Sequence, residues 1–202
     1  MIIDLNELQP TQIYKTMIQT VIPRPIAWTL TENETGSYNL APFSYFNAVG
    51  SNPPMVSLSI GKRKDGRDKD TRRNIDERNY FTVHIASVEM AQNVTDSAKP
   101  LEVNESEIDN LNLELVKEEY FPLPRLKDCK VAYFCRKDQI IPLGNVPQSL
   151  VIGIVEYIYV SDECIEGSDG VFEIDAKKIN PLGRLGGSDY CTFGEPFTIN
   201  PS

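Results

Sequence analysis

The sequence predicts a mainly β protein, built as a closed or nearly closed antiparallel barrel with a few short flanking helices. Segments with the alternation of a β-strand outnumber segments with helical periodicity, the helical segments lie between strands, and glycine or proline marks the junctions. A parallel doubly wound sheet would instead need strands and helices in regular alternation. No internal repeat or linker divides the chain, so residues 1–202 are expected to form a single domain.

Composition and charge restrict the classes of function. The chain has 20 lysine and arginine residues against 29 aspartate and glutamate residues, a formal net charge of -9 at pH 7. This negative charge repels phosphate backbones, so no general role with nucleic acid is expected. The sequence has no apolar run long enough to span a bilayer and no basic, apolar leader, which favours a soluble, cytoplasmic protein without membrane attachment. Small molecules are the expected partners.

The four cysteines are expected to be reduced thiols with a structural role. Their spacing lacks the close pairs of a zinc site or of a redox Cys-x-x-Cys motif, and four are few for a secreted scaffold of this length. They are Cys129, Cys135, Cys164 and Cys191. The sequence therefore predicts no metal site.

The chain is predicted to begin with a short helix and to continue as a strand. Residues 12–19 have helical character, and Pro23 and Pro25 end the helix because they bias the backbone towards an extended conformation. Residues 26–31 alternate between two faces, as in a half-buried strand. Residues 32–37 then form a turn.

Two motifs rich in turn-forming residues follow, at residues 39–44 and 47–54. In the first, Ala41 and Pro42 are small enough to let a planar ring approach the backbone between polar neighbours; the alternative is a loop and cap that lead into a short helix. The second is a turn that either contacts a ligand or only separates two elements. Residues 55–60 alternate again, with apolar side chains on one face and hydroxyls on the other, and the hydroxyl face is suited to a polar ligand.

The remaining elements are two helices, the strand between them, and two long strands rich in β-branched and aromatic residues. Asp68 or Asp70 is the expected N-cap of the first of these helices. The helices cover residues 69–78 and 88–98, and the strands cover residues 80–86, 130–136 and 149–161.

The start of the helix at residue 69 is the best physical candidate for an anion site. Free backbone N–H groups and the positive end of the helix dipole meet there with the ammonium of Lys69 and the hydroxyl of Thr71, both expected to be exposed. A phosphate would fit this position; the alternative is an ordinary, solvated helix start. The preceding loop reverses the charge of the chain, which favours an anionic ligand, and its cations are Lys62, Arg63, Lys64 and Arg67.

The sequence shows no acid–base or metal constellation, and no catalytic residue is assigned. His84 is the only histidine, and its place in an apolar strand is more typical of a hydrogen-bonded structural residue than of a catalyst. The absence of a Ser-His or Cys-His pair and of an HExxH motif argues against a hydrolase and a metalloenzyme. The glycine-rich residues 181–190 lack the dinucleotide-binding spacing; they either close over a ligand, with Arg184 and Tyr190 reaching it, or form a structural tail.

Five motifs, in this order along the chain, resemble those of the flavin reductase-like family, which includes flavoredoxin-type proteins. They are PRPIAW at residues 23–28, NLAPFSYFNAVGSNPP at 39–54, SIG at 59–61, KDTRRNI at 69–75 and PLGRLGGSDY at 181–190. The resemblance covers most of the chain. It implies a split β-barrel, antiparallel and Greek-key-like, and a homodimer that holds FMN non-covalently near the subunit interface.

The resemblance also implies which residues bind the cofactor. The loop that contacts the ring and ribityl groups corresponds to Asn39, Leu40, Ala41, Pro42, Ser44, Asn47, Ala48 and Val49. The adjoining strand end corresponds to Ser59 and Gly61, and the segment that fixes the phosphate corresponds to Lys69, Asp70, Thr71 and Asn74.

The implied activity is that of an FMN-binding oxidoreductase of the flavin reductase type, which transfers reducing equivalents from NAD(P)H through FMN to a small-molecule acceptor or a redox protein. The chemistry then belongs mainly to the flavin. One alternative is a flavoredoxin-like FMN electron carrier without direct NAD(P)H use. It is favoured by Tyr157 and Tyr159, which stand in the late strand where some related reductases carry a histidine. Another is a non-catalytic barrel that dimerises and binds no flavin.

Overall fold

The computed structural model describes residues 1–101, 105–145, 148–167 and 172–201. Its strands are β1 Ala27–Glu32, β2 Tyr38–Phe43, β3 Phe46–Ser51, β4 Pro54–Gly61, β5 Tyr80–Ile85, β6 Leu115–Val116, β7 Arg125–Leu126, β8 Val131–Leu143, β9 Gln148–Val160, β10 Ile165–Glu166, β11 Glu173–Ile174, β12 Gly183–Arg184 and β13 Tyr190–Cys191. Its α-helices are α1 Pro10–Thr20, α2 Asp70–Arg78, α3 Ala91–Asp96, α4 Glu107–Asn110 and α5 Ala176–Ile179. Short 3-10 turns cover Leu5–Glu7, Val88–Met90 and Asp162–Cys164.

Seven strands form one antiparallel sheet in the order β2-β1-β5-β8-β9-β4-β3. The two outermost strands, β2 and β3, are consecutive in the sequence and are joined only by Ser44 and Tyr45. The two ends of the sheet are therefore held together, and the sheet curls into a barrel. The carbonyl of Tyr45 also accepts a hydrogen bond of 2.9 Å from the N–H of Ser59 on β4, which fastens this corner to the sheet. The predicted antiparallel barrel with short helices is thus observed.

The core consists of two apolar clusters, one on each side of the sheet. Trp28 and Leu30 of β1 belong to one cluster, whereas Ala27 belongs to the other. Strand β1 is consequently buried on both faces, and the expectation of a half-buried strand is wrong. The reason is that β1 lies inside the sheet, between β2 and β5, with the cluster that includes Val94 and Leu126 packed on its outer face.

Elements with a strong local signal lie close to where the sequence predicts them. Helix α1, the turn between β1 and β2, strand β4 and strand β5 all match the expected segments. Burial alternates along β4 as expected, with Val56, Leu58 and Ile60 inside. The predicted helix at 88–98 is a 3-10 turn followed by α3, and the predicted strand at 130–136 continues as β8 to Leu143.

Three local expectations are corrected by the structure. Residues 39–46 form neither a long loop nor a short helix; they are nearly all of β2, the two-residue connection and the first residue of β3. Most of residues 47–54 belongs to β3, and only the reversal before β4 is a turn. The N-cap of α2 is Lys69, not Asp68 or Asp70, and no side chain caps this helix start. For residues 39–51, pairing of β2 with β1 and of β3 with β4 decides a conformation that local residue types leave open.

The cysteines are free thiols, as the sequence predicts, and Cys129, Cys135 and Cys164 are buried. Burial raises the pKa of the Cys129 and Cys135 thiols. In the part of the chain that the structure describes, no helix combines the length and the apolar character needed to cross a membrane.

Candidate functional site

Two adjoining clefts, each of about 550 Å³, share Pro42, Phe43, Lys69 and Ala98 in their walls. The first cleft is also lined by β4, by the facing ends of β8 and β9, and by the C-terminal hairpin β12–β13. The second cleft is also lined by the basic loop before α2, by the first turn of α2 and by residues 97–101. The shared residues make one continuous surface from the hydroxyl face of β4 to the start of α2.

The floor of the first cleft is formed by small and hydroxyl-bearing residues of β4. Ser59 and Gly61 both line it, and the alternation of β4 places them opposite its buried apolar residues. The Nε2 of Gln148 donates a hydrogen bond of 2.7 Å to the Ser59 hydroxyl. A side chain at Gly61 would meet the Gln148 amide, since a Cβ there would lie 3.1 Å from Oε1. Because Gly61 has no side chain, this part of the cleft stays open and the Gln148 amide remains its polar group.

The C-terminal hairpin forms another wall of the first cleft and is held there by Arg24. The guanidinium of Arg24 donates to the Leu185 carbonyl at 2.8 Å, to the Val21 carbonyl at 2.8 Å and to the Ser44 hydroxyl at 3.3 Å. Arg24 is buried, and these contacts join the end of α1, the β2–β3 corner and the hairpin. Nothing in the local sequence indicates this role, although Arg24 lies in the PRPIAW motif.

Lys69 lies where the two clefts meet. Its Nζ is 5.5 Å from the centre of the Phe43 ring, and Lys69 makes no ion pair with any described residue. Burial, and to a lesser extent the nearby Arg63 charge, lowers the pKa of its ammonium. Lys69 is also the N-cap of α2, and it lines the second cleft together with Asp70 and Thr71 of the first helical turn, whose N–H groups have no partner within the helix. The structure therefore brings together the groups expected for an anion site.

Asp70 also lines the second cleft, but its carboxylate is already neutralised. It forms ion pairs with Arg63 and with Arg73, the latter at 2.7 Å. An acid in the first turn stabilises a helix, so Asp70 serves the fold of α2. Among the other described cations of the second cleft, Lys69 and Lys64 form no ion pair with a described carboxylate, and of these two only Lys69 also lines the first cleft.

Thr71 is the buried hydroxyl of the second cleft. It is 1% exposed, so the expectation of an exposed side chain is wrong. The Nδ2 of Asn39 donates to Thr71 Oγ1 at 2.9 Å and to Thr31 Oγ1 at 3.2 Å. Because Thr71 Oγ1 accepts this bond, its own O–H remains able to donate into the cleft that it lines.

Asn74 supports this arrangement from below and lines neither cleft. It is completely buried, and its Nδ2 donates to Thr31 Oγ1 at 3.1 Å and to Asn33 Oδ1 at 2.9 Å. These bonds fasten the second turn of α2 to β1 and to the turn after it. In the protomer, the role of Asn74 is to position α2.

Leu40 contributes its backbone, not its side chain. The side chain belongs to the apolar core, and the N–H donates a bond of 2.9 Å to Oε2 of Glu107. Burial raises the pKa of Glu107, which also lines the second cleft. Glu107 is a residue that the sequence analysis missed, because nothing local marks a carboxylate that packs against a strand 67 positions away.

The predicted residues of β3 stand apart from the others. Asn47, Ala48 and Val49 are exposed and line neither cleft of the protomer. Strand β3 is the last strand of the sheet, paired on one side with β4. Of the remaining predicted residues, the structure brings together at the clefts Asn39, Ala41, Pro42, Ser44, Ser59, Gly61, Lys69, Asp70 and Thr71.

His84 has a structural role, as the sequence suggested. It is fully buried; Nδ1 lies 3.0 Å from the Trp28 carbonyl and Nε2 lies 2.9 Å from the Leu126 N–H. A carbonyl only accepts and an N–H only donates, so the ring is neutral with its proton on Nδ1. Burial lowers the pKa of His84 to about 4. His84 lines neither cleft.

Comparison with known proteins assigns this fold to a family. A sequence model of the flavin reductase like domain matches residues 19–172. The chain belongs to the flavin reductase-like family. Membership supports flavin binding and an oxidoreductase activity. The residues that line the two clefts lie within the matched range, except Tyr14 and those of the C-terminal hairpin.

Solved structures of similar proteins agree with this membership. Nitrilotriacetate monooxygenase component B from Bacillus cereus is 34% identical, with a TM-score of 0.91 and 98% of each chain covered. The 2-nitrobenzoate 2-nitroreductase NbaA from Pseudomonas fluorescens is 27% identical, with a TM-score of 0.89, covering 100% of this chain and 96% of its own. A split-barrel protein from Shewanella frigidimarina NCIMB 400, 20% identical with a TM-score of 0.83, covers 98% of this chain and 96% of its own and shares the fold. This flavin reductase-like protein is therefore a split β-barrel.

Proposed function

We propose that this protein binds FMN non-covalently and acts as an oxidoreductase of the flavin reductase type, taking reducing equivalents from NAD(P)H and passing them to an acceptor. The observation that carries the proposal is the continuous surface of the two clefts, which joins the small, hydroxyl-bearing floor at Ser59 and Gly61 to the cationic helix start at Lys69. FMN has the same polarity along its length, with a flat ring at one end and a phosphate at the other.

The residues present fit this cofactor in size and in chemistry. Each cleft has about 550 Å³, within the range of roughly 300–1,000 Å³ that is usual for cofactor sites. Pro42 and Gly61 leave room for a ring, and the Ser59 hydroxyl and Gln148 amide offer polar contacts to its edge. Lys69, the Thr71 hydroxyl and the N–H groups of α2 would hold the phosphate.

Bound FMN would supply the hydride and electron transfer. The chain itself binds and orients the cofactor, and none of the residues that line the first cleft is an aspartate, a glutamate or a histidine in the part of the chain that the structure describes. The Arg24 contacts hold the cleft wall in place, and the Asn39 and Asn74 bonds hold the start of α2. Positioning and solvent access are therefore the functions assigned to the protein.

We also propose a cytoplasmic homodimer. Strand β3 ends the sheet with one unpaired edge, and it exposes Val49 to solvent at 52% of its surface. Ile141 and Leu143, near the end of β8, are exposed as well. A second copy that covers this surface would bring Asn47 and Ala48 close to a cofactor near the interface. Analytical ultracentrifugation of the wild type and of Val49→Asp tests this proposal; a monomeric wild type would contradict it.

The acceptor is proposed to be a small molecule or a redox protein. The similarity to a monooxygenase component supports delivery of reducing equivalents to a partner, and the similarity to a nitroreductase supports a small-molecule acceptor. The second candidate function is an FMN electron carrier without direct NAD(P)H use. It is favoured by the exposed Tyr157 in the late strand, which packs on Tyr120 with ring centres 4.7 Å apart and has no histidine beside it.

Anaerobic titration of the FMN-loaded protein with NADH and with NADPH tests the function. Bleaching of the flavin absorbance by either nucleotide is the expected result. If dithionite reduces the bound FMN but neither nucleotide does, the electron carrier replaces the reductase as the proposed function. Failure to bind FMN at micromolar concentration in equilibrium dialysis would remove both and leave the non-catalytic barrel.

A further inference from the structure

The charge of the first cleft is opposite to that of the whole protein. The chain carries a net charge of -9, yet the described residues that line this cleft include no aspartate or glutamate and two cations, Lys69 and Arg184. Arg184 makes no ion pair with any described residue. A partly buried cation without a carboxylate partner is an effective site for an anionic ligand.

Arg184 and Lys69 serve different parts of this surface. Lys69 lies in the wall of both clefts, whereas Arg184 lines only the first. A phosphate at the start of α2 would lie in the second cleft, where Lys69 and the helix N–H groups would hold it. Arg184 would then still face the first cleft without an anion.

The surroundings of Arg184 favour a planar ligand. Its guanidinium lies over the Tyr190 ring, 4.4 Å from the ring centre, and one nitrogen, Nη2, donates to the Gly187 carbonyl. The remaining N–H donors keep the fork geometry that matches a carboxylate. Tyr14 and Tyr45 also line this cleft, and both are exposed, so their rings are available for stacking.

The hairpin that carries Arg184 is preorganised. Arg24 and Arg184 exchange backbone hydrogen bonds of 3.0 Å and 2.9 Å, and the Arg24 guanidinium holds the Leu185 carbonyl. At the other strand of the hairpin, the Tyr190 hydroxyl lies 3.0 Å from Thr95 Oγ1 on α3. A cation on a braced segment binds a ligand without the cost of ordering a loop.

We propose that Arg184, Tyr190, Tyr14 and Tyr45 form a second-substrate subsite for planar aromatic carboxylates, with the carboxylate on Arg184 and the ring against the tyrosines. This subsite rests on the proposed function, in which FMN occupies the remainder of the first cleft and the start of α2. It adds a substrate class and a specificity-determining residue to that function.

Isothermal titration of the FMN-loaded protein with benzoate tests the subsite. For a ligand of this size, the wild type is expected to bind with a Kd of about 1 mM. Arg184→Gln should weaken benzoate about tenfold or more, because a charge-assisted contact is lost, and should leave the Kd for FMN within about twofold. Arg184→Lys keeps the charge without the fork and should give an intermediate value. The matched control is Arg136→Gln, which removes an equal charge from β8, outside both clefts.

Three results would overturn the subsite. These are no benzoate binding to the wild type at about 10 mM, equal benzoate affinity in Arg184→Gln, or parallel losses of benzoate and FMN, which would assign Arg184 to the cofactor. The oxidised dinucleotide NAD⁺ is titrated in parallel; its selective loss in Arg184→Gln, with benzoate unchanged, would assign Arg184 to a dinucleotide phosphate instead. Failure of the proposed function is read separately, because the wild type would then not bind FMN at all.

Discussion

The Nδ2 of Asn39 and the Oγ1 of Thr71 are joined by a hydrogen bond of 2.9 Å, which ties strand β2 to the first turn of α2. Both side chains are buried, and Asn39 also reaches Thr31 on β1. The bond therefore sets the position of the helix start relative to the barrel. It also uses the acceptor capacity of Thr71 and leaves its hydroxyl proton for a ligand.

Asn39→Ala should reduce both stability and FMN affinity. The substitution removes the donor to Thr71 Oγ1 and leaves Thr31 Oγ1 with only the Asn74 amide, and it should lower the free energy of unfolding by about 1–3 kcal/mol. Urea unfolding and FMN titration measure the two effects. Asn6→Ala is the control, since Asn6 is exposed and bonds only to Asp4, and it should change stability by about 0.5 kcal/mol or less. Equal stability of the two variants would show that the buried bond contributes nothing.

Lys69→Ala with Thr71→Val should weaken FMN specifically through its phosphate. Valine keeps the volume of the buried threonine, and each lost charge-assisted contact should be worth roughly 1.5–3 kcal/mol of binding. Fluorescence titration with FMN and with riboflavin, which has no phosphate, separates the effects, since riboflavin affinity should change far less than FMN affinity. Lys15→Ala, on the exposed face of α1, is the charge control. Unchanged FMN affinity would mean that the phosphate lies elsewhere.

Gly153→Ala should destabilise the barrel. A Cβ at this position of β9 would lie 2.3 Å from Cζ of Phe81, a fully buried ring in the core. Overpacking of this kind costs about 1–3 kcal/mol. Thermal or urea unfolding measures it, with Gly194→Ala as the control because no atom lies within 4 Å of its added Cβ. A Gly153→Ala variant as stable as the wild type would refute the close packing of Phe81 on β9.

His84 should remain neutral well below its usual pKa. Because it is the only histidine, its imidazole proton resonance is unambiguous, and the midpoint of its NMR titration should be about 4, not near 6.5. Between these two pH values the unfolded chain binds a proton that the folded chain does not. The free energy of unfolding therefore falls as the pH drops from about 6.5 towards 4, by about 3 kcal/mol from this group.

Two observations test the expected loss of stability at low pH. A midpoint near 6.5 would show that the ring is accessible to water and that its two hydrogen bonds do not hold it neutral. Glu107 acts in the opposite direction, because burial raises its pKa and the folded state then binds its proton first. For this reason a Glu107→Gln background should show the histidine effect on stability more clearly.

The sequence by itself determined those helices and strands whose residue pattern is complete within a single element. The alternation of β4, the proline boundary after α1 and the β-branched run of β5 act within a few residues, so these segments could be predicted with nearly correct bounds. The ordered motifs also indicated the family, which the match of residues 19–172 confirms. Lys69 and Thr71 could be selected because a helix start, a cation and a hydroxyl coincide in the sequence.

Only the tertiary structure decided which surfaces these elements share. β2 and β3 close the barrel because they are the two outermost strands of the sheet. The order of the strands in that sheet depends on pairing between segments that are distant in the sequence. Long-range contacts also bury β1 on both faces and bury Thr71, which is hydrogen-bonded to the Asn39 amide. They place residues 47–49 away from the clefts. Arg24 and Glu107 join the site through contacts with Leu185 and Leu40, 161 and 67 positions away. Periodicity and capping describe neighbours along the chain; burial and hydrogen-bond partners depend on neighbours in space.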